Sequence, residues 1–408
     1  MPHSDSSQRF EQAYRRLDTF CAADAYVGWD PYDGLTSRLF QATPLKHWDL
    51  ARWAWIQLFK LSPINFRPLV GISKTANPKA IALLISASVH RYRLLRQTSD
   101  SGEALDRISQ HIRQLVDQLV ACASPGYSGA CWGYNFDWQA RRLFLFPAGT
   151  PNVVVTSFCV EALHEAQQII SDPRLDDLIC SAARFIRHDL NQTSRSDGVF
   201  LSYSPLVGND TVYNASLLGA RVLCRAFSRD ADGQNKALAD DVVAASLAGQ
   251  RSDGAWEYGL HPVQNWIDSF HTGFMLEGLQ AYRETFASAE LDAPISTGLA
   301  FYLENFFGRD GRPNYYPGRP FPIDIHSPAQ LPVTLAALGC FQQHQQTVEQ
   351  VLNWTLTHMQ AADGSFFYQR RKFFVSKVPY LRWSNAFMLR ALACYSLNAQ
   401  AGASGMVR

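Results

Sequence analysis

Charge of one sign never accumulates in this 408-residue chain: 37 lysines and arginines face 36 aspartates and glutamates, for a net charge of +1. A polyanion-binding track needs clustered basic residues, so no nucleic-acid partner is expected. Long apolar runs are also missing. No stretch approaches about 18 uninterrupted apolar residues, which argues against a membrane span. The opening MPHSDSSQRFEQ lacks the cationic and apolar regions of a secretory leader. Cysteine occurs eight times, at 21, 122, 131, 159, 180, 224, 340 and 394, without a CxxC pair or a dense framework. Cys180, Cys224, Cys340 and Cys394 fall inside apolar helical patterns, where a thiol acts as a small hydrophobe. These features predict a reduced, cytoplasmic protein. HExxH, a P-loop, GxGxxG and a serine nucleophile elbow are absent, so neither a metal nor a cofactor is expected.

What the sequence does have is a period. Asp-Gly pairs recur at Asp197-Gly198, Asp253-Gly254, Asp310-Gly311 and Asp363-Gly364, at spacings of 56, 57 and 53 residues. Each precedes a short aromatic run: VFLSY, AWEY, RPNYY and SFFY. Such a period is the length of two helices and their connections, the mark of stacked repeat units. No unit of that size buries its own apolar face, so neighbours must stack. With 47% hydrophobic residues there is material for one large core, and the continuous repeat predicts a single domain over 1–408.

Apolar spacing at three and four residues predicts inner helices starting near Asn77, Asn152, Asp210, Asp268, His326 and Arg382. These are poor in charge beyond their first turn, as helices buried on most sides must be. More amphipathic stretches, roughly 47–60, 103–122, 173–191, 234–250, 292–307 and 345–360, read as an outer layer. A leading helix near 7–22 stands outside this count, within an arm over 1–45. Its neighbour WDPYDGLTSRLF reads as a degenerate Asp-Gly turn. Six helix pairs closing on themselves make an all-α, (α/α)6 toroid with short aromatic strand-like connections. The stretch 129–151 is longer than the other connections, and loops of that length are usually functional.

Each inner helix opens on polar or aromatic residues: Asn152 and Thr156; Asn209, Asp210, Tyr213 and Asn214; Asn265, Trp266, Asp268 and His271; Asp324, His326, Ser327 and Gln330; Arg382, Trp383, Ser384 and Asn385. In a toroid these openings converge on one end of a central cavity. Capping accounts for the Asn, Asp and Ser residues equally well, but not for the His, Trp and Tyr beside them. Asp268 and His271, three apart, share a helix face, and Asp324 and His326 precede the next inner helix. Two carboxylates with nearby imidazoles suit general acid–base chemistry on a sugar. Asp137, set among Trp132, Tyr134, Phe136 and Trp138, suits a pyranose-stacking loop, and those aromatics can equally pin the loop to the rim. Arg382, with Arg141 and Arg142 behind it, offers a guanidinium fork for a uronate or phosphate. Trp256, Tyr258, Tyr315 and Tyr316 belong to the aromatic runs and serve either as cavity walls or as packing.

Two resemblances follow from particular residues. Gln250, Gly254 and Trp256 (QRSDGAW), and more weakly Gln360, Gly364 and Phe366 (QAADGSF), resemble the Q-x3-G-x-W core of terpenoid-cyclase and prenyltransferase repeats. That implies the α/α toroid; the cyclases' DxDD and the prenyltransferases' zinc set are not present. Longer phrases (WDPYDGLTSRLF, CWGYNFDWQ, GTPNVVVTSF, NWIDSFHTGFMLEGL and PIDIHSPAQ) resemble bacterial polysaccharide-biosynthesis proteins of the VpsJ type. The resemblance implies a role in exopolysaccharide or lipopolysaccharide assembly, with a glycan or sugar-linked substrate. Toroids of this class include epimerases, lyases and glycoside hydrolases.

The sequence therefore leads to a carbohydrate-active enzyme with Asp268 and Asp324 as acid and base, helped by His271 and His326, and with Asp137 of the long loop as a further catalytic candidate that also positions the sugar. Asp137, Trp132, Tyr134, Trp138, Asn152, Asp210, Tyr213, Trp256, Tyr258, Trp266, Gln330, Arg382 and Trp383 are its expected positioning residues. An isoprenoid-lipid enzyme lined by Trp256, Trp266, Phe270 and Trp383 is one alternative, and a non-catalytic scaffold of an assembly complex is another. Oligomeric state is left open.

Overall fold

The computed structural model describes residues 2–98, 101–140, 145–208 and 210–405. In chain order the helices are α1 (Pro2–Ala23), α2 (Arg38–Gln41), α3 (Asp49–Leu61), α4 (Pro78–Thr98), α5 (Gly102–Ala121), α6 (Val153–Ala166) and α7 (Arg174–His188). They continue with α8 (Tyr213–Asp230), α9 (Gly233–Ala248), α10 (Ser269–Phe286), α11 (Asp292–Phe306), α12 (His326–Ala337), α13 (Gln345–Met359) and α14 (Ala386–Gly405). Between them lie three small antiparallel sheets: β1 (Trp138–Gln139) with β2 (Leu145–Phe146), β3 (Gln192–Arg195) with β4 (Gly198–Leu201), and β5 (Ile323–Asp324), β6 (Gln369–Arg370) and β7 (Val375–Ser376) in that order. Among the described residues no helix is long and apolar enough to cross a membrane, and no cysteine is paired.

Packing follows burial. In α10, Phe270 and every residue from Thr272 to Leu279 are buried, so the helix touches protein on all sides. In α7 only Leu175, Ile179, Ala182, Ala183, Phe185 and Ile186 are, the single stripe of an outer helix. The inner helices pack in the order α4–α6–α8–α10–α12–α14, and α14 returns to α4. The ring is closed. The toroid expected from the repeat is the fold.

The Asp-Gly turns knit the outer layer. Asp253 Oδ1 accepts from the Ala255 N–H (3.1 Å), and Gly254 takes φ +89°, open to glycine at little cost. A Cβ on Gly254 would stand 2.4 Å from the Thr297 carbonyl oxygen on α11. Gly364 repeats this arrangement at φ +95°, and its neighbour is Arg16 on α1. The outer layer therefore closes on α1, which packs against α13 and α14.

Two expectations change here. The helix near 7–22 is the first outer helix, not a leader beyond the ring. The stretch 47–60, read as outer, is α3, which packs on the adjoining 3-10 turns and on β1 instead. The fifth copy of the turn is at 129–134, inside the supposed insert: a Cβ on Gly129 would overlap the Ser181 carbonyl, and Trp132 donates to Leu119 O (2.8 Å) as Trp256 does to Ser246 O (2.8 Å). Only the β1–β2 hairpin is added to it. Asp33-Gly34 forms a buried 3-10 turn, with Asp33 bonded to Arg67 (2.7 Å), rather than a repeat turn.

The middle of the ring is filled. Lys79 of α4 lies over the rings of Phe158 (3.9 Å), Phe387 (5.2 Å) and Phe274 (5.3 Å), from α6, α14 and α10. Below, Arg221 and Arg225 pair with Glu277 (3.3 Å) and Glu161 (2.9 Å). The toroid is a cup with a floor.

Candidate active site

The repeat itself builds the mouth of the cup. Each aromatic run carries, at its last or next-to-last residue, a carbonyl that accepts from an N–H at the start of the neighbouring inner helix. Tyr203 O takes Val153 N (3.0 Å), Tyr258 O takes Tyr213 N (3.2 Å), Tyr315 O takes Ser269 N (3.1 Å) and Tyr368 O takes Ile325 N (3.2 Å). Trp29 O does the same for Leu381 N (3.2 Å). The bonds satisfy helix-start donors that have no partner within the helix. They also set five aromatic side chains at matching positions around one end of the ring. Tyr134 stands at the sixth, against Tyr203 (3.5 Å between hydroxyls) and over Arg382 (4.7 Å).

Inside this rim sits a carboxylate–imidazole pair. Asp268 caps α10: Oδ1 accepts from the His271 N–H (2.9 Å) and Oδ2 meets His271 Nδ1 (2.7 Å). The Asp268 side chain is 0% exposed and that of His271 18%. The i, i+3 spacing produces both contacts from one residue: a cap reaches the third N–H, and the imidazole folds back over it. Tyr258 (4.9 Å), Trp266 (5.5 Å) and Phe270 (4.2 Å) wall the imidazole, and Tyr258 stacks on Trp266 (4.2 Å). Among the described residues Nε2 has no hydrogen-bond partner. The Asp268 charge bears on Tyr258 and Tyr315, whose hydroxyls burial already holds above the ordinary tyrosine range.

Asp324 is different. Oδ1 accepts from Trp383 Nε1 (2.9 Å) and from the His326 N–H (2.9 Å), and Oδ2 from Gln369 Nε2 (2.5 Å). Its side chain is 0% exposed. Burial pushes its pKa up to about 6, against the pull of those three donors. His326 packs on Phe387 (3.8 Å), Trp383 (4.6 Å) and Phe270 (4.7 Å), and among the described residues neither ring nitrogen has a hydrogen-bond partner. Burial, then the charges of Lys79, Arg382 and His271, hold it well below the usual histidine range. Beneath it the Lys79 ammonium is likewise driven well below the lysine range by burial, with Arg382 and Arg221 adding to the effect.

No protein-family model and no curated protein sequence matches the chain. Solved structures do. A GH76 α-mannanase of Bacteroides thetaiotaomicron superposes with TM-score 0.60 at 10% identity, over 81% of this chain and 89% of that one. A cellobiose 2-epimerase of Bacillus thermoamylovorans gives 0.57 at 11% identity, over 79% and 87%. A polysaccharide lyase gives 0.57 at 10% identity, over 98% and 99%. At such identities the likeness establishes the shared toroid.

The structure gathers Asp268, His271, Asp324, His326, Tyr134, Tyr258, Trp266 and Trp383 at the mouth and removes others. Trp132 and Trp256 are core wedges with their indole N–H groups bonded to helix carbonyls, so neither faces a ligand. With Trp256 gone, the apolar pocket imagined for an isoprenoid loses a wall. Asn152 is a cap, accepting from Val155 N (2.9 Å). Tyr213 packs outward on Phe200 (5.2 Å) and against Gly249. Gln330 lies below the floor, bonded to Glu277 and Thr334. Asp137 accepts from Ala148 N (2.6 Å) and braces the β1–β2 hairpin, where Trp138 stacks on Phe146 (4.3 Å). Asp210 stays in the loop before α8, half exposed. Arg382 is buried and holds both oxygens of Asp30, so its fork is already filled by the protein's own carboxylate. Arg141, Arg142 and Asn209 lie outside the described residues.

Two residues, one beneath the mouth and one beside it, carry no sequence signal of their own. Lys79 reads as an ordinary second residue of a helix. Tyr32 comes from the arm between α1 and α4; its ring meets Trp383 (5.7 Å) and Trp138 (6.3 Å), and its hydroxyl accepts from Lys60 Nζ of α3 (2.7 Å). The arm thus lays one tyrosine across the opening.

Proposed function

We propose that this chain is a carbohydrate-active enzyme that transfers a proton to or from a sugar, with His271 as the acid–base group. One observation carries the reading: the His271 imidazole is anchored through Nδ1 to a buried carboxylate, while Nε2 is left toward an aromatic-walled mouth. Asp268 then fixes the tautomer and stabilises the imidazolium, as an orienting carboxylate does beside a catalytic histidine. Pyranose faces stack on tyrosine and tryptophan rings, which the mouth supplies from every repeat. The names of the superposing structures (mannanase, epimerase, lyase) point to the same substrate class, and the phrases shared with polysaccharide-biosynthesis proteins favour a role in glycan assembly.

Within that class the geometry favours proton abstraction, as in epimerisation or β-elimination, over hydrolysis. A glycosidase of the usual kind needs two carboxyl groups flanking the bond. Here Asp268 and Asp324 are both enclosed and both committed to internal donors. The test is to incubate the protein with a panel of neutral and uronate oligosaccharides in deuterated water and follow by NMR both carbon-bound deuterium, which epimerisation leaves, and the carbon–carbon double bond that β-elimination leaves instead. Either signal from the native protein and its loss by at least about 100-fold in His271→Gln is the expected result. The full signal from His271→Gln would remove His271 from the chemistry.

A further inference from the structure

Exposed apolar side chains are not spread evenly over this molecule. Leu39, Leu45, Trp48, Leu50, Leu58, Leu61, Ile64 and Leu69 all belong to the arm that carries α2 and α3. On α3 itself, Ile56 and Phe59 are buried beneath the helix. Leu50, Ala54, Leu58 and Leu61 fall one turn apart on the opposite side, exposed to solvent. An amphipathic helix normally turns a polar face outward; this one turns out an apolar face that none of the described residues covers. Leu50 is 76% exposed, Ile64 65% and Trp48 66%.

The patch continues onto the tip of the β6–β7 hairpin. Ser376 Oγ donates to the Ser62 carbonyl just past α3 (3.2 Å), so hairpin and helix end are neighbours. The tip reads Arg370-Arg371-Lys372-Phe373-Phe374, and Phe373 is 86% exposed. Charge gathers here as well. Residues 34–73 and 369–377 hold nine of the 37 basic side chains and one of the 36 acidic ones, leaving 28 basic against 35 acidic elsewhere. Arg67 is buried against Asp33, and the Arg52 side chain, 13% exposed, is held by Asp49 and Gln139. Arg38, Lys372 and Lys377 are exposed on the same two segments as the apolar side chains, with Arg371 partly so.

We propose that this face, the outer side of α3 with the β6–β7 tip, docks the protein on an anionic lipid surface. Exposed Leu, Trp and Phe flanked by Lys and Arg are what an interfacial segment presents to headgroups and the acyl boundary. A second copy of this chain fits less well, because two such faces set like charge against like charge. The inference is independent of the proton-transfer chemistry. It also places the mouth, which Tyr32 and Lys60 of the same arm border, close to the lipid.

The experiment is flotation of the full chain with vesicles of phosphatidylcholine alone or with about 30% phosphatidylglycerol at about 0.1 M salt. The protein is expected to float with the anionic vesicles only and to leave them as salt rises. Arg371→Gln with Lys372→Gln lowers vesicle affinity by about 30-fold, and Leu61→Ser with Phe373→Ser abolishes flotation while the circular dichroism spectrum is kept. Equal behaviour toward both vesicles, or unchanged flotation of both variants, overturns the proposal. So does a dimer in analytical ultracentrifugation that Leu61→Ser with Phe373→Ser dissolves, since the occupant is then a second copy.

Discussion

Replacing Asp324 by asparagine separates a structural carboxylate from a catalytic one. Asp324 is enclosed, and burial raises its pKa to about 6, whereas an aspartate in the unfolded chain titrates near 3.9. The folded protein keeps the proton to higher pH than the unfolded chain. Folding therefore takes up a proton between about pH 4 and 6, and stability falls as pH rises through that window. Two pH units correspond to about 3 kcal/mol of penalty at pH 7, of which about 2 develop above pH 4.5. The amide of Asp324→Asn cannot ionise, and the variant loses this dependence. It keeps an oxygen for Trp383 Nε1 and the His326 N–H, and sets an amide against Gln369 Nε2, a pH-independent cost of about 1 kcal/mol. Urea unfolding at pH 4.5 and pH 7 measures the effect. The gap between native protein and Asp324→Asn should shift by about 2 kcal/mol in favour of the variant on going to pH 7. Asp33, also raised to about 6 by burial, contributes equally to both proteins and cancels. Parallel stabilities at the two pH values would refute the enclosure argument and restore Asp324 as a candidate acid.

Asp268→Asn keeps the α10 cap, since Asn caps as well as Asp, yet withdraws the charge from His271; the proton transfer proposed above should fall by about 10²- to 10⁴-fold with an unchanged melting temperature. Gly254→Ala places a methyl group against the Thr297 carbonyl at φ +89°, and calorimetry should register a loss on the order of 3 kcal/mol. Asp30→Ala strands the buried Arg382 guanidinium, for about 3–5 kcal/mol of destabilisation in denaturant titration.

The toroid was legible because its signals are periodic. The turn glycines recur since each sits against the next outer helix, and helices buried all round cannot hide their lack of charge. The dyad was legible for a similar reason, two chemically distinctive residues three apart on one helix. What escaped depends on contacts between distant parts of the chain. Arg382 looked free because Asp30, its partner, lies 352 residues away. Trp132 and Trp256 looked like ligand platforms because an indole in the core and one in a cleft have the same local neighbours. Helix α1 was set aside since its seat on α13 and α14 is visible only after the ring closes. Asp268 and Asp324 look alike in the sequence; only enclosure assigns one to orienting His271 and the other to tying down Trp383.

That seat has a bearing on how the protein is made. Helix α1 is synthesised well before α13 and α14, the surfaces it rests on. During synthesis the nascent chain must hold an incomplete circle, with one gap's worth of apolar surface bare on each side of the opening. Chaperone demand should peak before α13 and α14 emerge, and a permuted gene that begins at α13 would move that vulnerable interval to another seam.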